Sequence, residues 1–266
     1  MSNKDFMPCR LCAGSPTPGY IEDETEIEGR PGYKYKVLRK CACREKYDRE
    51  KVYTLRLKKS NLRTSMLDYE PTTHYKGNLS TESMLKLVKY GQGLTEDIYA
   101  NQSLYLYGPY GTQKTTLAQW VGKKAIDHGL TPYYTLMRSL VNALVDSQYN
   151  DPDTTDEIKK ERRNLINNAS KCDVLLLDES FDLAKMTMYK SNYQLPFLDE
   201  FIRDRMDIKE KPIVFVSNVA IRNMDKAFGA IQDLLSRKIS SVGGELHFRD
   251  NYMDASNDFN ITDIFA

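Results

Sequence analysis

Leu104-Tyr105-Leu106-Tyr107-Gly108-Pro109-Tyr110-Gly111-Thr112-Gln113-Lys114-Thr115-Thr116 is the stretch on which the reading of this chain turns. Four apolar or aromatic residues suit a short buried strand. A turn with two glycines and a proline follows, and then Leu117, Trp120, Val121 and Ile126 recur at helical spacing until Gly129 stops them. Strand, glycine-bearing turn, Lys-Thr and helix stand in the order that a phosphate-binding loop requires. Backbone N–H groups at a helix N-terminus must converge on the phosphates, and the helix dipole there favours an anion. In that geometry Lys114 reaches the outer phosphates and Thr115 offers its hydroxyl to Mg²⁺. Gly108, Pro109, Tyr110, Gly111, Thr112, Gln113 and Thr116 complete the candidate loop.

One position departs from the motif. G-x-x-x-x-G-K-[ST] calls for glycine where the chain has Gln113, and Gly111 does not restore it. A side chain must fit beside the phosphates, with a conformational cost if the position favours glycine. Either the loop tolerates the change and binds ATP, or binding or hydrolysis is weakened; the sequence favours retained binding.

Downstream, Val174-Leu175-Leu176-Leu177-Asp178-Glu179 reads as an apolar strand ending in two acids. The bland alternative is a buried strand with a polar end. In a parallel sheet the carboxyl end of such a strand lies beside the phosphate loop, so Asp178 can support Mg²⁺ and Glu179 can polarise an attacking water. Ile213-Val214-Phe215-Val216-Ser217-Asn218 repeats the plan with an amide at the strand end. Leu136, Leu140 and Leu144, and Phe197, Leu198, Phe201 and Ile202, are core stripes. His74, His128 and His247 are isolated and read as surface or satisfied polar groups, and Cys172 as a packed residue near a strand start.

The remaining cysteines, Cys9, Cys12, Cys41 and Cys43, form two close pairs. Four thiolates in two turns can close a tetrahedron around zinc, and a site with no open position is structural. Gly19, Gly29, Pro31 and Gly32 mark turns between the pairs, and the alternating Tyr33 to Leu38 reads as a strand, so a small zinc-ribbon-like hairpin fits. From Arg44 to about Leu67 the chain has good helix formers and neither Gly nor Pro. Lys34 to Arg63 holds twelve Lys and Arg against three Asp and Glu, a local charge of +9. That run suits either a contact to phosphates or an acidic protein face, or a solvated helix with internal ion pairs.

The 266 residues, with 38 Lys and Arg against 37 Asp and Glu, carry a formal charge of +1, which excludes a polyanion-coating protein. Hydrophobic residues at 41% and charged residues at 28% exclude global disorder. No apolar run approaches the roughly 20 residues of a membrane span, and no secretory signal opens the chain, so a cytoplasmic protein without membrane contact is expected. The organisation expected is a zinc-binding domain with a basic helix over 1–68, a linker over 69–80, a nucleotide domain over 81–249 and a peripheral acidic tail over 250–266.

These residues resemble the AAA+ ATPases that load bacterial replicative helicases, the DnaC and DnaI type, with the transposition helper IstB as a close relative. The likeness covers roughly residues 80 to 249: Gly108 to Thr115 matches its Walker A apart from Gln113, Leu175 to Glu179 its Walker B, and Asn218 its first sensor. Tyr134-Thr135-Leu136-Met137 and the helix after it look like its second strand and helix. Asp233-Leu234-Leu235-Ser236-Arg237-Lys238-Ile239 is similar to an element that supplies an arginine finger to a neighbouring subunit, which makes Arg237 the candidate; otherwise Arg237 is an ordinary helix-surface residue. The resemblance implies an α/β fold with a parallel sheet flanked by helices, self-assembly around ATP and Mg²⁺, contact with single-stranded DNA, and an N-terminal domain that grips a hexameric replicative helicase. The shortness of the chain after Arg237, too brief for a full helical lid, also matches the loaders. An IstB-like helper acting on duplex DNA is the nearest alternative. A zinc-containing DNA or protein adaptor, gated by nucleotide without turnover, belongs to another class.

Overall fold

A computed structural model of the chain describes residues 7–15, 17–26, 32–48, 68–96, 100–148, 155–182, 195–224, 226–240 and 245–249. The chain divides into two compact units, Met1–Leu55 and Arg56–Ala266. The acidic tail 250–266 and the basic segment 49–67 lie outside the described residues.

In the first unit, β1 (Tyr20–Glu26) and β2 (Lys34–Lys40) form an antiparallel hairpin in which Tyr20 faces Lys40 and Glu26 faces Lys34. A helix, α1, opens at residue 42 and is described through 48. The strand expected over Tyr33 to Leu38 is thus β2. Its partner β1 carries Glu22, Asp23, Glu24 and Glu26, an arrangement that opposite charges on facing strands favour.

The second unit is built on a six-stranded sheet. Its elements are α2 (Pro71–His74), β3 (Asn78–Leu79), α3 (Thr81–Gln92), β4 (Leu104–Tyr107), α4 (Lys114–Asp127), β5 (Pro132–Leu136), α5 (Met137–Gln148), α6 (Asp156–Lys171), β6 (Val174–Ser180), α7 (Leu195–Arg203), β7 (Ile213–Ser217), α8 (Gly229–Ser240) and β8 (Glu245–Arg249). Strand order is β3-β8-β4-β7-β6-β5, with five parallel strands and β3 antiparallel at the β8 edge. Parallel neighbours need long crossovers, and the intervening helices supply them and cover the sheet, so its central strands read as continuous apolar runs. All four residues of the run Val174 to Leu177 are buried, as are Ile213 to Val216.

Tyr105, Leu177 and Phe215 lie in register on neighbouring strands and belong to one core cluster with Met137 and Leu140 of α5, Leu198 and Ile202 of α7, and Leu234 and Leu235 of α8. Leu198, Phe201 and Ile202 of the α7 stripe are therefore core, as their spacing predicts, whereas Phe197 is only partly buried. On α4, Trp120 is wholly buried and sits so close to α3 that a Cβ on Gly91 would come within 2.5 Å of its ring. Only glycine allows that approach.

The stretch 69–80, expected as a linker, is instead folded into the second unit. Tyr69 is buried, and Glu70 accepts from Trp120 Nε1 at 3.1 Å, Lys124 Nζ at 2.9 Å and Lys123 Nζ at 3.3 Å. Leu79 pairs with Phe248 as the sheet's antiparallel edge. Local composition reads these polar and aromatic residues as a connector; their partners lie some fifty or more positions away and are invisible to it.

Candidate functional site

The phosphate loop leaves β4 and enters α4 as the sequence predicts. Gly111 has φ +79°, a left-handed conformation natural to glycine, and the N-cap Gln113 adopts φ +62°, ψ +19°. The motif's departure thus falls at a position that needs left-handed backbone, where a side chain costs about 1–2 kcal/mol. Lys114, at the first position of α4, is buried; its Nζ donates to the carbonyls of Gly108 at 2.8 Å and Pro109 at 2.5 Å and lies 3.2 Å from Thr112 Oγ1. The Gly108 N–H donates to the Ser217 carbonyl, fixing the loop to the end of β7.

Asp178 ends the apolar part of β6 and is 5% exposed. Its Oδ2 accepts from Thr115 Oγ1 at 3.0 Å and from the Tyr134 hydroxyl at 2.7 Å, while its Oδ1 accepts from the Glu179 N–H at 2.8 Å. Burial beside this carboxylate pushes the Tyr134 phenol well above its ordinary range, so it stays a donor. The Thr115 hydroxyl and the Asp178 carboxylate form a pair of hard oxygens of the kind that suits Mg²⁺.

Beyond Asp178 the strand is irregular, with a register shift between Leu177 and Ser180 and left-handed φ values of +54° at Glu179 and +60° at Phe181. Phe181 is buried against Tyr105, Phe215 and Phe228, with ring centroids 5.4–6.2 Å away. Its burial contributes about 1.5–3 kcal/mol, enough to offset a strained residue of the turn. Ser217 Oγ donates to the Ser180 carbonyl at 2.7 Å and accepts from the Val219 N–H at 3.0 Å, which holds the β6 and β7 ends together around Asn218.

The result is a cavity of about 320 Å³ lined by Tyr110 to Thr115, Asp178, Glu179 and Val216 to Asn218. It opens at the carboxyl ends of β4, β6 and β7, where open parallel sheets bind ligands. Lys114, Thr115, Asp178, Glu179 and Asn218 are brought together there, whereas Gly108, Pro109 and Thr116 are not among its lining residues. Arg237 is not among them either: it is exposed on α8, and its Nε donates to the Asp233 carbonyl at 3.3 Å. Two side chains that sequence reasoning missed join the site. Tyr134 reaches it because β5 lies beside β6, and Asp182 because the strand end turns back; neither signal is local.

In the first unit, the sulfurs of Cys9, Cys12, Cys41 and Cys43 lie within 4.8 Å of one another, and no cysteine is in a disulfide. Cys12 and Cys43 lie 3.3 Å apart, Cys9 and Cys41 3.6 Å, and Cys9 and Cys12 3.8 Å. A tetrahedron with Zn–S bonds of about 2.3 Å places its sulfurs about 3.8 Å apart, so the four residues could hold one such ion. The N–H groups of Cys12 and Leu11 donate to Cys9 and hold its thiol down at about 6, while burial pushes the Cys12 thiol up.

The basic stretch is less available than its charge count implies. Lys34 and Lys36 pair with Glu24 and Glu22, Arg39 with Asp23, and Lys40 and Arg44 with Asp48. Of these pairs only Arg44–Asp48 lies within a helix, and the others tie β2 to β1 or to α1; the rest of the run lies outside the described residues. His74 Nδ1 is engaged by Thr73 and Glu70, Cys172 is buried, and His128 is exposed. No described helix is long and apolar enough to cross a membrane.

Residues 37–236 match the profile of the IstB-like ATP binding protein family. No curated protein matches the chain. Among solved structures it is similar to a DNA replication initiation factor, at 19% identity over 68% of this chain and 49% of that one, TM-score 0.47. The chain thus spans about half the length of that relative. It is also similar to a primosome component from Streptococcus pyogenes serotype M3, at 17% identity over 74% of this chain and 94% of that one, TM-score 0.46. DnaI matches at 14% identity over 64% of this chain and 87% of that one, TM-score 0.45.

Proposed function

We propose, because this chain belongs to the family of IstB-like ATP binding proteins, that it is an AAA+ ATPase that loads a replicative hexameric helicase onto single-stranded DNA. The observation that carries the ATPase reading is the convergence of Lys114, Thr115, Asp178, Glu179 and Asn218 on one cavity at the carboxyl end of a parallel sheet. Loading itself rests on the likeness of the sequence motifs to the DnaC and DnaI type.

Within that reading, the loop backbone and Lys114 bind the phosphates, and Thr115 and Asp178 would hold Mg²⁺, which supplies neutralisation of phosphate charge. Tyr134 orients Asp178 from the neighbouring strand. Glu179 takes a proton from the attacking water and Asn218 orients the terminal phosphate. Arg237, exposed and away from its own cavity, acts on the nucleotide of an adjacent subunit in the assembled state. ATP shifts assembly only through a contact that differs between the two states, and a finger from a neighbour is such a contact. Zn²⁺ held by Cys9, Cys12, Cys41 and Cys43 would give the small N-terminal unit a rigid base from which to grip its protein partner.

The test is steady-state ATP hydrolysis with and without single-stranded DNA, beside a Glu179→Gln control. Turnover that rises with single-stranded DNA and collapses in the control is the expected result, with co-purification of a replicative helicase as its sequel. The family match favours a second reading, an IstB-like transposition helper, for which duplex DNA is the stimulating form. ATP binding without turnover in every condition would instead point to the nucleotide-gated adaptor that Gln113 suggests.

A further inference from the structure

Asp182 has no role in the reading above, yet it touches both sides of the nucleotide cavity. Its Oδ2 accepts a hydrogen bond from the Tyr110 hydroxyl at 2.9 Å and lies 3.5 Å from Asn218 Nδ2. Tyr110 belongs to the phosphate loop and Asn218 follows β7, and both line the cavity. A single carboxylate oxygen therefore ties the loop to the strand end opposite it. At 9% exposure Asp182 is no solvated surface acid.

Its placement is built by the fold. Phe181, directly before it, is packed into the aromatic core in left-handed backbone, which fixes the chain where it enters Asp182. On the other side, the Gly108 N–H holds the start of the loop to the Ser217 carbonyl, while Tyr110 two residues on is 67% exposed and is held toward the β7 end through Asp182. Negative charge so near the phosphate loop opposes a phosphate-rich ligand by Coulomb repulsion. A carboxylate at that place is therefore costly to ligand binding unless it serves the step that follows.

We propose that Asp182 is a positioning residue of the nucleotide site: it latches the phosphate loop to the β7 end through Tyr110 and Asn218, and so sets the Asn218 amide for its work on the terminal phosphate. This rests on reading the cavity as a nucleotide site. A side chain that orients Asn218 and adds repulsive charge acts on turnover and on affinity in opposite directions. Its loss lowers kcat while leaving ATP bound as tightly or more tightly.

The experiment compares the full-length chain with Asp182→Ala, Asp182→Asn and Tyr110→Phe, by ATP turnover and by calorimetric affinity for ATP and ADP. Asp182→Ala is expected to lower kcat about tenfold, the scale of a displaced catalytic group, without raising KM. Tyr110→Phe should give part of that loss. Asp182→Asn keeps an acceptor for Tyr110 and should recover most of the turnover. If the parent chain binds ATP without hydrolysing it, the measure is the ATP-to-ADP affinity ratio, which Asp182→Ala should raise at least about fivefold by removing a repulsion felt most by the triphosphate. Unchanged kcat, or an unchanged ratio in the binding arm, overturns the proposal. So does joint loss of kcat and ADP affinity, which would mark a merely structural residue. A parent chain that binds neither nucleotide, and is indistinguishable from Lys114→Ala, overturns the nucleotide-site reading itself.

Discussion

Tyr134 donates its hydroxyl proton to Asp178 Oδ2 across 2.7 Å, from β5 to the neighbouring β6. The same oxygen accepts from Thr115, so one buried carboxylate oxygen is shared by a strand and by the helix that follows the phosphate loop.

Replacing Tyr134 by Phe should lower stability by about 1.5–3 kcal/mol, the usual worth of a hydrogen bond to a charged partner, while Thr115 keeps Asp178 in place. Urea denaturation of the two proteins reads this directly. Equal midpoints would show that the bond contributes nothing net.

Lys114→Ala and Arg237→Ala should separate binding from turnover. Loss of Lys114 removes the buried cation of the phosphate loop and should abolish ATP binding by calorimetry. Arg237 is exposed and away from its own cavity, so its loss should leave monomer affinity intact and lower the ATPase rate of the assembled protein. Normal turnover in Arg237→Ala rules it out as the finger.

Metal analysis of the purified chain should return about one zinc per molecule, as four sulfurs in a closed tetrahedron imply. Cys43→Ser should lose it. A metal-free protein with an intact hairpin would assign the cysteines elsewhere.

Arg205 is 1% exposed, and its guanidinium donates to the carbonyls of Ala169, Ser170, Cys172, Asp173 and Pro212. It closes the end of α6 and the turn into β6, the strand that carries Asp178. Arg205→Met should cost about 3 kcal/mol or more, because several buried acceptors lose their donor at once. A change below about 1 kcal/mol in urea unfolding would mean that water replaces the guanidinium.

Burial raises the Glu70 carboxyl, but Lys124, Lys123 and the Trp120 indole outweigh it and hold the group below its usual 4.5. A carboxyl lowered in the folded state contributes stability that is complete above its unfolded value and fades as pH falls through the folded one. Thermal stability should therefore decline below about pH 4.5 in part through Glu70, and Glu70→Gln should flatten that segment of the profile. Parallel profiles would remove Glu70 from the account.

Much of the site is legible in the chain because its signals are local. The run into Gly108 and the Lys-Thr pair, the apolar strand ending at Asp178 and Glu179, and the strand before Asn218 each read from consecutive residues. Five of the residues so chosen meet around one cavity. The paired cysteines read the same way, since two short turns fix which sulfurs can meet, and their sulfurs do meet.

What the sequence misjudged or missed depends on contacts between distant segments. It took 69–80 for a linker because composition cannot foresee Glu70 bound to Trp120 and Lys124, or Leu79 paired on the sheet edge. Its charge count from Lys34 onward left two readings open, and the acidic partners that β1 brings across the hairpin are visible only in the fold.

The sequence by itself determined the order of strand, loop and helix, the acids at a strand end and the cysteine pairs, because each follows from periodicity or close spacing. Only the tertiary structure decided that Tyr134 would serve Asp178 and that Asp182 would reach Tyr110. Strand order and the left-handed turn at Glu179 and Phe181 set those distances, and both are settled by packing of the whole sheet and its aromatic core.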